Sequence, residues 1–195
     1  MYLLQKLYVF VLEDNDDTYR RYVVKTLNYW LAKRFKLAFH ITRASSFEDA
    51  EQKMQSFAQE VKIPEASVFF VLDHDLGSSE TGLDFYQEVI LGTFKERFGN
   101  CVVIATSATQ KNNYAMKAIG GDRVIIGAKA IGKAAISKCL EELKSNASKV
   151  EVAEKQGSNL HGCSSSTWQK SPLVSEEVST EPSGDPRIPL ICFDL

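Results

Sequence analysis

The most constraining feature of this chain is an alternation, repeated five times, of a short apolar run with a longer stretch of helical periodicity. The runs are 6–12 (KLYVFVL), 37–42 (LAFHIT), 67–72 (SVFFVL), 101–105 (CVVIA) and 123–126 (RVII). They are rich in β-branched and aromatic residues and shorter than a typical helix, so each predicts a strand. Their apolar residues are nearly continuous rather than alternating, as in a sheet covered on both faces. Between them, Tyr19, Val23, Leu27 and Trp30 recur at spacings of three and four. A capping box, Ser45-x-x-Glu48, opens a helix whose inner face is Phe47, Ala50, Met54, Phe57 and Val61. Leu83, Tyr86, Ile90 and Phe94 mark a third helix over 81–98. A fourth covers 109–119 and is closed by Gly120-Gly121. The fifth covers 130–143, with Ile131, Ala135, Cys139 and Leu143 facing inward. Strands alternating with helices predict an α/β fold, a doubly wound parallel sheet.

The 195 residues suit one domain with extra segments. A net charge of −2 gives no basic footprint, so nucleic acid is not an expected partner. The apolar run from Tyr2 to Leu12 is broken by Gln5 and Lys6. It is too short to cross a membrane and lacks the cleavage site of a signal peptide. The four cysteines form no C-x-x-C pair, which fits a reduced, cytoplasmic chain. After Asn146 the character changes: four of the five prolines and a serine cluster lie there. The expected division is a folded domain over 1–146 and a polar, Ser/Pro-containing, flexible tail over 147–195. The end of that tail, Ile188–Leu195, is apolar enough to dock.

In parallel sheets of this kind ligands bind at the carboxyl ends of the strands. Glu13 and Asp14 follow the first run, Asp73 the third, Thr106 and Ser107 the fourth, and Lys129 the fifth. A parallel sheet brings all of them to one edge. Three carboxylates in one place repel each other unless a cation joins them. Mg²⁺ suits such a set, because it takes oxygen ligands and keeps several waters. The ammonium of Lys129 and a hydroxyl, Ser107 in preference to Thr106, can then hold a phosphate. Nucleophile, metal and charge-neutralising donors are the parts that phosphoryl transfer to a carboxylate needs.

Each of these residues also has a plainer reading. Glu13 and Asp14 suit the first turn of the following helix through its dipole. Lys129 alone reads as a surface lysine, and its value comes from its position. His74 reads as a loop histidine, with no second histidine nearby in sequence. Asp75 either positions a water or is a solvated loop carboxylate. Tyr29, Trp30 and Phe35 read as packing residues, and His40 and His161 carry no functional reading.

Taken in order, these segments resemble the receiver domains of two-component response regulators. Val11-Leu12-Glu13-Asp14-Asn15 is similar to the first-strand acidic motif, and Phe70-Val71-Leu72-Asp73 to the phospho-acceptor strand. Thr81-Gly82-Leu83-Asp84 resembles the start of the third helix. Ile104-Ala105-Thr106-Ser107-Ala108 resembles the strand-four hydroxyl motif, and Lys129 stands as the strand-five lysine. The resemblance covers roughly residues 5–145, the scale of one domain. It implies a flavodoxin-like, five-stranded parallel sheet in the order 2-1-3-4-5.

It also implies an aspartyl phosphate on Asp73, formed with Mg²⁺ held by Glu13, Asp14, Asp73 and the backbone carbonyl of Asp75. Lys129 would contact Asp73 and the phosphoryl group, and Ser107 would swing towards it. A sensor histidine kinase or phosphotransfer protein would be the donor, and an unnamed protein would receive the output. The roughly 50 residues after Asn146 are too few for a usual effector domain, so output is expected through protein–protein contact.

The match departs at four places. Gly77 stands where receivers commonly carry proline, the loop before Gly82 is one residue longer, Ala130 rather than proline follows Lys129, and Ile126 occupies the usual aromatic switch position. The stretch Leu72-Asp73-His74-Asp75-Leu76-Gly77 also resembles a divergent receiver-like group proposed for cyclic-phosphate processing. Two other readings stand beside the receiver: a metal-dependent phosphatase or hydrolase using Asp73 with His74 or Asp75, and a pseudo-receiver that binds without being phosphorylated.

Overall fold

The computed structural model describes residues 6–62, 66–99 and 101–158, with 147–158 described by their backbone alone. Five parallel strands form one sheet: β1 (Leu7–Leu12), β2 (Phe39–Ala44), β3 (Ser67–Leu72), β4 (Val102–Ala105) and β5 (Val124–Ile126). Their spatial order is β2-β1-β3-β4-β5, the flavodoxin-like order expected. The register of β1 is Leu7 against Phe39 on one side and Ser67 on the other. The chain steps outward from β1 to β2, then crosses back to β3. The direction of winding therefore reverses between β1 and β3, which is where a ligand crevice forms in such sheets.

Among the described residues five longer helices and a short 3-10 turn, Gly121–Arg123, connect and cover the strands. α1 spans 16–34, α2 is Phe47–Glu60, α3 spans 82–98 with a break at Phe94, α4 is Gln110–Gly120 and α5 is Lys133–Ser158. Tyr8, Phe10, Leu12, Phe70 and Leu72 point to one face of the sheet and pack against α2 and α3. Rings dominate that side: Phe10 meets Phe57 edge-on at 5.3 Å between centroids and stacks on Phe85 at 5.8 Å. Leu7, Val9, Val11, Phe69 and Val71 point the other way, into a second core with Val23, Leu27 and Leu31 of α1 and Ile136, Cys139 and Leu140 of α5. Burying both faces is why the central runs read as continuously apolar.

Several local expectations shift. The inner stripe of α1 is Val23, Leu27 and Leu31, so Leu31 rather than Trp30 takes the last buried position. The cause lies in its wide turns over Tyr19–Val24 and Asn28–Arg34, which lengthen the repeat beyond that of an α-helix. Lys36, at φ 57°, closes this helix in the left-handed region, so β2 begins at Phe39 rather than Leu37. The cap of α2 sits one residue later than expected: Ser46 accepts from the Asp49 amide, and Asp49 accepts from the Ser45 amide. α3 has a full capping box between Thr81 and Asp84. α5 runs to Ser158, beyond the expected end near 143, through a segment rich in Ala, Lys and Glu. Among the described residues no helix is long and apolar enough to cross a membrane. Residues 159–195, including the apolar end Ile188–Leu195, lie outside the described part.

Candidate functional site

The ladder continues one residue past the strands. The amide of Glu13 bonds the Ala44 carbonyl, that of Asp73 the Leu12 carbonyl, and that of Thr106 the Leu72 carbonyl. Side chains alternate along a strand. Val11, Val71 and Ile104 share the α1/α5 face, so Glu13, Asp73 and Thr106 continue on it. Ser107 continues the opposite face, that of Val103 and Ala105.

This places Glu13 and Asp73 together under the sheet edge, both essentially inaccessible, with Asp14 exposed above them. One carboxylate oxygen from each of Glu13, Asp14 and Asp73 lies within 4.8 Å of the others. Lys129 reaches over from the segment after β5. Its Nζ donates to Asp73 Oδ2 and, at 3.3 Å, to Glu13 Oε2. Of the residues expected to act together at this end of the sheet, Glu13, Asp73 and Lys129 are therefore in hydrogen-bond contact and Asp14 lies beside them, whereas Ser107 and Thr106 make no bond to this cluster.

Three carboxylates share one ammonium, so the cluster keeps an excess of negative charge. Burial lifts Asp73 above the usual carboxylate range, and Lys129 only partly opposes this. Glu13 is lifted by burial and by the charge of Asp73, against the pull of Lys129. Burial alone would lower Lys129, but its bonds to Asp73 and Glu13 prevail and hold it charged. Asp73 Oδ1 is buried and has no hydrogen-bond partner. A carboxylate oxygen left bare in a buried site is costly. An oxygen-preferring divalent ion would satisfy it and offset the surplus charge, so the donor set fits such an ion.

Gly77 and Gly82 let the chain pass this close. Gly77, at φ 68°, carries the loop past Asp14, and a Cβ there would sit 3.4 Å from Asp14 Oδ2. A Cβ at Gly82 would fall 1.8 Å from the Asp73 carbonyl oxygen, so α3 starts directly against the Asp73 backbone.

The two hydroxyls after β4 differ. Thr106 Oγ1 is buried without a partner. Ser107 Oγ donates to Asp75 Oδ2 at 3.1 Å and accepts from the Thr109 amide at 3.0 Å. Around Ser107 lies a network that spacing did not reveal. Buried Asn113 accepts from the Ser107 amide and donates to its carbonyl, both at 2.9 Å. Asn112 Nδ2 lies 3.3 Å from Asp75 Oδ1 and 3.1 Å from His74 Nδ1. His74 Nδ1 is itself 3.3 Å from Asp75 Oδ1, and the tautomer decides which of these bonds it makes. Arg43, also unforeseen, donates to the Glu13 carbonyl and to Asp16 and lies over the Tyr19 ring, tying β2 to the loop that carries Asp14. It obeys the same rule as the other site residues, being a polar group at a strand's carboxyl end. The asparagines belong to a helix and carry no such mark.

No family model matches the chain, and no curated protein matches it. Solved structures do. One is described as amino acids 181–211 of the yeast Spc42 trimeric coiled coil fused to another structure; it is 12% identical, with a TM-score of 0.50, over 80% of this chain and 95% of that one. Another is the receiver domain of the histidine kinase CKI1 from Arabidopsis thaliana in complex with Mg²⁺ and BeF₃⁻; it is 15% identical, with a TM-score of 0.47, over 71% of this chain and 89% of that one. At such identities a likeness concerns the fold alone.

Proposed function

We propose that this chain is a phospho-acceptor receiver module in which Asp73 takes up a phosphoryl group with the help of Mg²⁺. The observation that carries the reading is the meeting of three carboxylates, one with a bare buried oxygen, beside a lysine at the switch point of a 2-1-3-4-5 sheet. The ordered motifs along the sequence support it independently.

In this mechanism Glu13, Asp14 and Asp73 would hold the ion, and its charge would offset that of the incoming phosphoryl oxygens. A carboxylate oxygen of Asp73 attacks phosphorus of a phosphohistidine or small phosphodonor. The new O–P bond forms as the bond from phosphorus to the donor breaks; an imidazole or ammonia leaving group takes its proton from solvent, whereas acetate leaves as its anion. Lys129 keeps its proton beside Glu13 and Asp73 and would hold a phosphoryl oxygen. Ser107 turns its hydroxyl to the phosphoryl group. The donor would be a sensor kinase or phosphotransfer protein, and output would pass by protein contact.

Incubation with acetyl phosphate or phosphoramidate and Mg²⁺ tests this. The expected result is a mass gain of one phosphoryl group, lost in Asp73→Asn and on chelation of the metal. An unlabelled wild-type protein overturns the reading. A hydrolase is the second reading, favoured by one feature: His74, next to Asp73, is held within reach of Asp75 and Asn112. Multiple turnover of a phosphate ester, lost in His74→Ala, would select it.

A further inference from the structure

We propose that Asp75 is a positioning residue that keeps the Ser107 hydroxyl away from the phosphoryl site until a phosphoryl group competes for it. The inference rests on the receiver reading above. A hydroxyl has one proton to give. Ser107 gives its proton to Asp75 Oδ2, so it has none for an acceptor on Asp73. Its oxygen also takes the Thr109 amide, which fixes the rotamer from the other side.

Both partners of this bond are held. Asn113 clamps the Ser107 backbone through its amide and its carbonyl, so the serine can respond by rotating its side chain but not by moving its backbone. The other oxygen of Asp75 faces Asn112 in the first turn of α4. Asp75 is 56% exposed, so the bond competes with water and yields to a stronger acceptor. When Ser107 turns to a phosphoryl oxygen, Asp75 loses a donor and Asn112 loses the constraint that this bond placed on its partner. Occupancy at Asp73 is thereby transmitted to the start of α4. Asp75 sets the threshold for this, because the phosphoryl group must outcompete its carboxylate.

Calorimetric titration of the full chain with BeF₃⁻ in saturating Mg²⁺ tests the idea, using wild type, Asp75→Ala, Asp75→Asn, Ser107→Ala and the double variant Ser107→Ala/Asp75→Ala. Asp75→Ala is expected to bind roughly 3- to 10-fold tighter, the range of one hydrogen bond to a charged but hydrated group. Asp75→Asn keeps an acceptor oxygen and is expected to stay within about twofold of wild type. On the Ser107→Ala background, Asp75→Ala is expected to change nothing, the signature of two residues acting through each other. An equal gain on both backgrounds, or equal gains for Asn and Ala, would mean simple relief of charge repulsion and would overturn the latch alone. No gain in Asp75→Ala would overturn it too. Wild-type protein that does not bind BeF₃⁻ would overturn the receiver reading and the latch with it.

Discussion

Asp73 sits where its ionised form is disfavoured even with Lys129 beside it, because burial outweighs the ion pair. A neutral isostere should therefore be better tolerated than the native acid. Asp73→Asn is expected to raise the melting temperature in metal-free buffer by a few °C, corresponding to about 1 kcal/mol. The pH dependence follows from the same shift. Glu13 and Asp73 have folded pKa values above their unfolded ones, so the folded apo protein binds more protons between those values. Stability from these two groups is then greatest below their unfolded values and is lost as pH rises through the folded ones. The wild-type melting temperature, minus that of Asp73→Asn, should fall as the pH is raised from about 4 towards neutrality. A flat difference, or Asp73→Asn melting lower at neutral pH without metal, would count against the crowded acidic site. Thr106 offers a second test. Its buried hydroxyl has no partner, so Thr106→Val should be neutral or stabilising by up to about 1 kcal/mol in chemical denaturation. A loss of more than that would show that the hydroxyl has a partner after all. The meeting of Glu13, Asp14, Asp73 and Lys129 was legible because strand ends are easy to locate and a parallel sheet gathers them. Asn112, Asn113 and the Ser107–Asp75 bond were not, since a helix phase and a loop path decide them.

At the scale of elements, apolar runs located all five strands, and the errors fell at their ends. β2 starts two residues later than its apolar run because Lys36 must first close α1, and pairing with β1 sets the rest. Trp30 packs against the core of α1 only partly buried, and Leu31 takes the fully buried position, which was not legible because the sequence does not announce wide turns. The start of α3 is the most tightly constrained junction. The capping box Thr81–Asp84 fixes where the helix begins, and Gly82 fixes how near it lies to Asp73. Gly82→Ala would drive a methyl group into backbone, which cannot swing aside as a side chain can. A cost of about 3 kcal/mol is expected from denaturant unfolding, the upper end of ordinary overpacking. Because the displaced element abuts Asp73, the proposed metal affinity should fall as well. A Gly82→Ala protein with wild-type stability would show that α3 does not pack against Asp73 in this way.

At the scale of the molecule, the sheet order does the gathering. Winding outward from β1 to β2 and back across to β3 puts the carboxyl ends of β1 and β3 side by side, with Glu13 and Asp14 after one and Asp73 after the other. The class of fold was readable because covered parallel strands and amphipathic helices leave different periods in the sequence. The spacing of the acids and Lys129 was not, since it depends on how far Lys129 reaches and on a glycine-lined loop. One divalent ion is expected to bridge those two strand ends. Calorimetric titration of the metal-free protein with Mg²⁺ measures this directly. The predicted result is saturable binding of one ion, weakened at least tenfold in Asp14→Asn and in Asp73→Asn. Absence of saturable binding in the wild type, or binding that both variants retain undiminished, would contradict it.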